Sequence, residues 1–105
     1  MGEWIEIGHI DDIPPQAART VATAFGDIAV FRTVDDRFFA VRDRCPHKGG
    51  PLSQGIVHGG RVACPLHNWV IDLATGEAVA PDKGCAHRYA VKVEAGRLFL
   101  GSAVR

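Results

Sequence analysis

Short apolar runs alternate with turn residues along most of the chain, and none continues far enough at helical spacing to make a long helix. Trp4 to Ile7 alternates apolar and polar positions, after which Asp11-Asp12-Ile13-Pro14-Pro15 breaks the pattern, so a first strand is predicted before the break. Val21 to Phe25, a Gly26-Asp27 turn, Ile28 to Thr33, an Asp35-Asp36 turn and Arg37 to Arg42 then read as two consecutive hairpins. Tyr89 to Val93, a Glu94-Ala95-Gly96 turn and Arg97 to Leu100 repeat the style near the other end. The best helical candidate, Pro14 to Ala22, lacks an apolar stripe. The pattern predicts an all-β fold, a small sandwich or barrel whose edges close on each other, with residues 1–105 as one domain.

Between the hairpins the pattern changes. Asp43 to Gly60 contains Pro46, Gly49, Gly50, Pro51, Gly55, Gly59 and Gly60, a density of turn residues that predicts loops held by something other than a β-ladder. Composition narrows what that holder is. Twelve Lys and Arg balance twelve Asp and Glu, leaving no basic surplus for nucleic acid or an anionic membrane. Met1 to Asp12 lacks the basic and apolar regions of a secretory leader, no run of ~18 uncharged apolar residues occurs, and Glu6 stands where a myristoylation signal needs Ser or Thr. A soluble, cytoplasmic chain is expected. Three cysteines cannot form a closed disulfide framework, and two of them stand beside histidines, which favours metal chemistry.

The motifs are Cys45-Pro46-His47 and, after sixteen intervening residues, Cys64-Pro65-Leu66-His67. Each supplies one sulfur and one nitrogen ligand. Zinc accepts such a set, but its usual pairs leave two to four residues between cysteines and three to five between histidines, and Cys-x-His is a tight chelate for one ion. In a [2Fe-2S] cluster the two irons lie apart, so each loop can send its cysteine to one iron and its histidine to the other.

With these motifs the chain resembles the Rieske family, whose pattern is Cys-x-His followed by Cys-x-x-His. The flanks agree: Gly49-Gly50-Pro51-Leu52 follows the first pair, and Asp72 and Gly76 follow the second, with Ile71 replacing the usual Phe. The resemblance implies a cluster-binding subdomain over about 44–69, with Cys45 and Cys64 on one iron and His47 and His67 on the other. Two ferric irons, two sulfides and two thiolates sum to zero charge, so an electron enters more easily than into an all-cysteine cluster. The implied potential lies at roughly −150 to +300 mV, against about −400 mV for the plant type. Gly50 and Leu66 stand where high-potential members carry a disulfide, which implies the low-potential branch.

Within that branch the chain is similar to the small subunits of assimilatory NAD(P)H nitrite reductases. The residues that carry this are Trp4, Ile10 to Pro14, Ile28 to Arg32, Cys45 to Val57, Cys64 to Trp69 and Pro81 to Cys85. The implied partner is a large subunit holding FAD, an iron–sulfur centre and sirohaem, where nitrite is reduced to ammonium. A free ferredoxin serving an aromatic-ring dioxygenase is the alternative, and a cluster-free interaction subunit is the third. No nucleophile–base pair and no dinucleotide-binding glycine motif occurs, so no complete active site is expected on this chain and no residue is assigned a catalytic role. Cys85 is expected to be a buried structural thiol, His9, His58 and His87 ordinary histidines, and Trp69 a packing residue. Pro46, Leu52, Pro65 and Leu66 are expected to form a dry rim around the outer histidines.

Overall fold

The computed structural model describes residues 4–24, 26–44, 50–65, 69–79 and 84–104. Nine strands occur among them: β1 (Ile5–His9), β2 (Ala17–Thr23), β3 (Gly26–Arg32), β4 (Phe38–Arg42), β5 (Ile56–His58), β6 (Arg61–Ala63), β7 (Val70–Asp72), β8 (Arg88–Glu94) and β9 (Arg97–Val104). Two single 3-10 turns, Ile10–Asp12 and Leu52–Gln54, are the helical segments. Six strands form one curled antiparallel sheet in the order β1-β9-β8-β4-β3-β2, and the other three form a small sheet in the order β5-β6-β7. The expected all-β, barrel-like architecture is therefore present.

The reason for two sheets is written in β3. Ile28, Ala29, Val30 and Phe31 are all fully buried, although successive residues of a strand face opposite ways. Ile28 and Val30 turn into the barrel, where they pack with Ile13, Ala40, Leu98 and Leu100. Ala29 and Phe31 turn outward and meet Leu52, Val57, Val62, Ile71 and Leu73 beneath the small sheet. A strand with both faces covered needs an uninterrupted apolar run rather than alternation. β3 is thus the wall common to two cores.

The hairpins lie where expected, with adjustments at their ends. β2 begins at Ala17 rather than Val21, because Ala17 and Ala18 pair with Arg32 and Phe31 along the full length of β3. Thr23 pairs with Gly26 and Ala22 with Asp27, so Gly26 and Asp27 belong to the strand rather than to a turn. Gly26 has φ 111°, which suits glycine there. The larger correction concerns residues 43–60 and beyond, where loops without a ladder were expected. Ile56, Val57 and His58 pair with Ala63, Val62 and Arg61, which pair in turn with Val70, Ile71 and Asp72. Each of these strands is three residues long, too short to display an alternation.

β1 and β2 end the curled sheet, and a side chain links them. Arg19 Nη1 in β2 donates to the Ile7 carbonyl at 3.1 Å and lies 3.4 Å from Asp12 Oδ2. Between Glu6 and Gly8 the β1–β9 register slips, and a Cβ on Gly8 would lie 2.6 Å from Asp12 Oδ2 and 2.8 Å from Arg19 Nη1. Only a bare backbone leaves room for that bridge. Among the described residues, no helix is long and apolar enough to cross a membrane.

Candidate metal centre

Cys64 follows the last residue of β6 and is 2% exposed, packed in the apolar cluster with Leu52, Val62 and Ile71. Its backbone N–H donates to the Trp69 carbonyl at 2.6 Å, extending the β6–β7 pairing by one step. Pro65, which follows, lacks an N–H and so forfeits no ladder bond where the described pairing ends. The Cys64 thiol takes part in no disulfide. His67 belongs to residues 66–68, outside the described residues, as do Cys45 and His47 in 45–49.

Described residues near these segments, Gly55, Cys64 and Trp69, nevertheless lie together at one end of the small sheet. Gly55, which closes the Leu52–Gln54 turn, sits so near β6 that a Cβ there would lie 2.2 Å from the Ala63 carbonyl oxygen. Ile56, Ala63 and Val70 are paired across the three strands. After β7, Asp72 Oδ1 accepts the Ala74 and Thr75 N–H groups at 2.9 and 3.3 Å, and Gly76 adopts φ 77°. That turn sends the chain back along β7, with Val79 N–H donating to the Val70 carbonyl at 2.8 Å and Ala78 N–H to that of Gly84 at 2.8 Å. Val79 and Gly84 are thereby held beside Val70 and Ala78. Asp72 and Gly76, which sequence similarity marks out, are the residues that make this return possible.

Residues on either side of the first motif are bonded to each other. Asp43 Oδ1 accepts the Ser53 backbone N–H at 2.7 Å, while Asp43 Oδ2 accepts the Ser53 hydroxyl at 2.6 Å. Thr20 Oγ1, from β2, lies 2.8 Å from the same Oδ2 and 3.0 Å from Ser53 Oγ. These three residues were not singled out in the sequence. The available signal was an Asp at the exit of β4, since such a carboxylate often caps the loop that follows.

Of the four expected ligands only Cys64 is among the described residues, which contain no group of three or more His, Cys, Asp or Glu able to hold a metal, so the fit to a [2Fe-2S] group rests on the chemistry of the donor set. The donor set, two thiols and two imidazoles, is the one such a cluster takes when histidines replace two cysteines. Cys64 places its sulfur in dry apolar surroundings, which suits a soft iron–sulfur centre. Leu52, by contrast, is fully buried and belongs to the core, so it is not part of a rim; Pro65 is exposed. Pro46 and Leu66 lie outside the described residues.

Trp69 packs against the core, as expected. Cys85 does not: its side chain is exposed, and its backbone makes an isolated antiparallel bridge with Glu77. The bridge needs no cysteine, so the expectation of a buried thiol fails. His9 accepts the Asp11 N–H on Nδ1 at 3.1 Å and caps the first 3-10 turn. His58 is exposed on β5, and His87 is exposed while its carbonyl accepts the Arg42 N–H at 2.8 Å.

Comparison with known proteins adds to this geometry. The family model for the Rieske [2Fe-2S] domain matches residues 3–89. The anthranilate 1,2-dioxygenase ferredoxin subunit of Burkholderia cepacia is 40% identical over 76 residues, covering 72% of this chain and 69% of its own. The 4beta-methylsterol monooxygenase of Methylococcus capsulatus is 43% identical over 72 residues, 68% of this chain, but the match spans only 20% of that longer protein. Among solved structures, NirD of Escherichia coli, a nitrite reductase small subunit, is 28% identical with a TM-score of 0.84, covering 97% of this chain and 98% of that one.

Proposed function

The chain belongs to the Rieske [2Fe-2S] family of oxidoreductase-type electron-transfer domains, and on that premise we propose that it is the small subunit of a cytoplasmic NAD(P)H-dependent nitrite reductase. The observation that carries the choice of partner is the run Cys45 to Val57 with Cys64 to Trp69 and Gly84-Cys85, which is similar to nitrite reductase small subunits. Likeness to NirD over nearly the whole of both chains supports it.

In this reading Cys45 and Cys64 hold one iron of the cluster and His47 and His67 hold the other. When bound, the cluster accepts and returns one electron at a time. The protein supplies the rest. Burial of Cys64 among Leu52, Val62 and Ile71 keeps water from its sulfur, and the Cys64–Trp69 backbone bond sets the span of the second ligand loop. FAD, an iron–sulfur centre and sirohaem belong to the large partner subunit, where nitrite becomes ammonium. Residues 1–105 form one domain, with 44–69 as its cluster-binding part.

A second reading has its own support. The 40% identity to a dioxygenase ferredoxin subunit favours a carrier that delivers electrons to an aromatic-ring oxygenase. Both readings need the cluster, whereas a cluster-free interaction subunit does not. Anaerobic purification from cells, followed by paramagnetic resonance of the reduced chain, is expected to give the low-average-g signal of a Rieske centre; an iron-free folded chain overturns both electron-transfer readings. Co-purification with a sirohaem- and FAD-containing subunit supports the first, and recovery with an oxygenase or its flavin reductase replaces it with the second. His67→Ala is expected to abolish the signal while His87→Ala leaves it unchanged, and equal effects would show the wrong imidazoles were chosen.

A further inference from the structure

The half-buried carboxylate of Asp43 binds together three parts of the chain that are far apart in sequence. It takes two hydrogen bonds from Ser53, one from backbone and one from hydroxyl, and stands within hydrogen-bond distance of the Thr20 hydroxyl. Asp43 precedes and Ser53 follows residues 45–49, so the two bonds join residues ten positions apart, and the sequence between them contains Cys45 and His47. Thr20 ties that closure to β2, and Leu52, beside Ser53, is fully buried against β3. The Asp43 N–H donates to the Asp27 carbonyl at 2.9 Å, which anchors the same residue to the barrel from its other side.

An open loop of that length would lose conformational freedom each time its two ligands came into position. A loop already closed at its base has less to lose, and the bonds that close it here are charge-assisted and therefore stronger than neutral ones. We propose that Asp43 is a positioning residue for the cluster: with Ser53 and Thr20 it forms a clasp that presets the loop carrying Cys45 and His47. This rests on the reading in which those two residues are ligands. The clasp leaves the ligand identities alone and acts on how firmly, and in what orientation, the loop presents them.

Asp43→Asn removes the charge while keeping the size, and the Thr20→Val and Thr20→Ser pair removes or retains the hydroxyl. The measurements are iron release to a chelator and the paramagnetic resonance line shape of the reduced cluster, with thermal unfolding of the same samples recorded alongside. Asp43→Asn is expected to release iron about tenfold faster and to shift or broaden the resonance lines. Thr20→Val is expected to move both readouts in the same direction, and Thr20→Ser to restore them. Unchanged release and line shape in Asp43→Asn, with the cluster present, overturn the clasp. Should Asp43→Asn not fold, the threonine pair decides: Thr20→Val indistinguishable from Thr20→Ser overturns it. A wild-type chain without the Rieske signal instead overturns the ligand reading beneath it, so the two failures are told apart.

Discussion

Gly55 shows how a single missing side chain can carry an arrangement of loops. The Ala63 carbonyl oxygen occupies the space a Cβ would need, at 2.2 Å, and Val62 Cγ2 stands 3.0 Å from the same point. Backbone cannot swing aside as a flexible side chain can, so Gly55→Ala is expected to push the Leu52–Gln54 turn away from β6 and cost about 1–3 kcal/mol. Urea unfolding would check this, and a cost near zero would mean that the two segments separate freely. Asp35 has a different importance. Hydrogen bonds from the Thr33 hydroxyl and then from Arg37 hold its carboxyl below the usual range. A folded-state pKa below the unfolded one means that ionised Asp35 stabilises the turn above the carboxylate range, and that this contribution fades as pH falls through the folded value. Asp35→Asn is therefore expected to lower Tm slightly at pH 7, with the gap to wild type narrowing below about pH 4. A gap that stayed constant would assign the loss to altered geometry rather than to charge.

At the level of elements, the strands legible in the sequence are those with enough residues to show a pattern. β3, β4, β8 and β9 were marked out by apolar runs between turn signals, and their pairing follows. β5, β6 and β7 were not, because three residues cannot establish a period and glycine-rich neighbours suggested bare loops. The return of residues 77–79 along β7 was equally hidden, since it depends on single bridges and on the Asp72 side chain rather than on a hydrophobic pattern. The ligand motif was legible for the opposite reason: cysteine and histidine at short spacing have few other uses. Its supports were not, as Thr20, Asp43 and Ser53 are common polar residues that become a unit only when β2, β4 and the 3-10 turn meet. β3 connects the two regions, and Phe31 is its largest outward-facing side chain. Phe31→Ala is expected to lose about 3–5 kcal/mol in denaturant unfolding. A loss below about 1 kcal/mol would mean that the small sheet does not depend on that contact.

Across the whole molecule, the six-stranded and three-stranded sheets divide the chain: one forms the barrel, and the other brings Cys64, Trp69, Val70 and Val79 together at one end. The join between β1 and β2 has a further consequence. A sheet ending in straight, unprotected strands offers its backbone to other molecules as a template for growth. Here the slipped register at Gly8 bends one border out of line, while the guanidinium of Arg19 occupies a carbonyl on it and sets a charge in the approach. A second copy arriving alongside meets a crooked, ionic rim instead of a ready ladder, so the device that shuts the barrel also discourages the protein from stacking into fibrils.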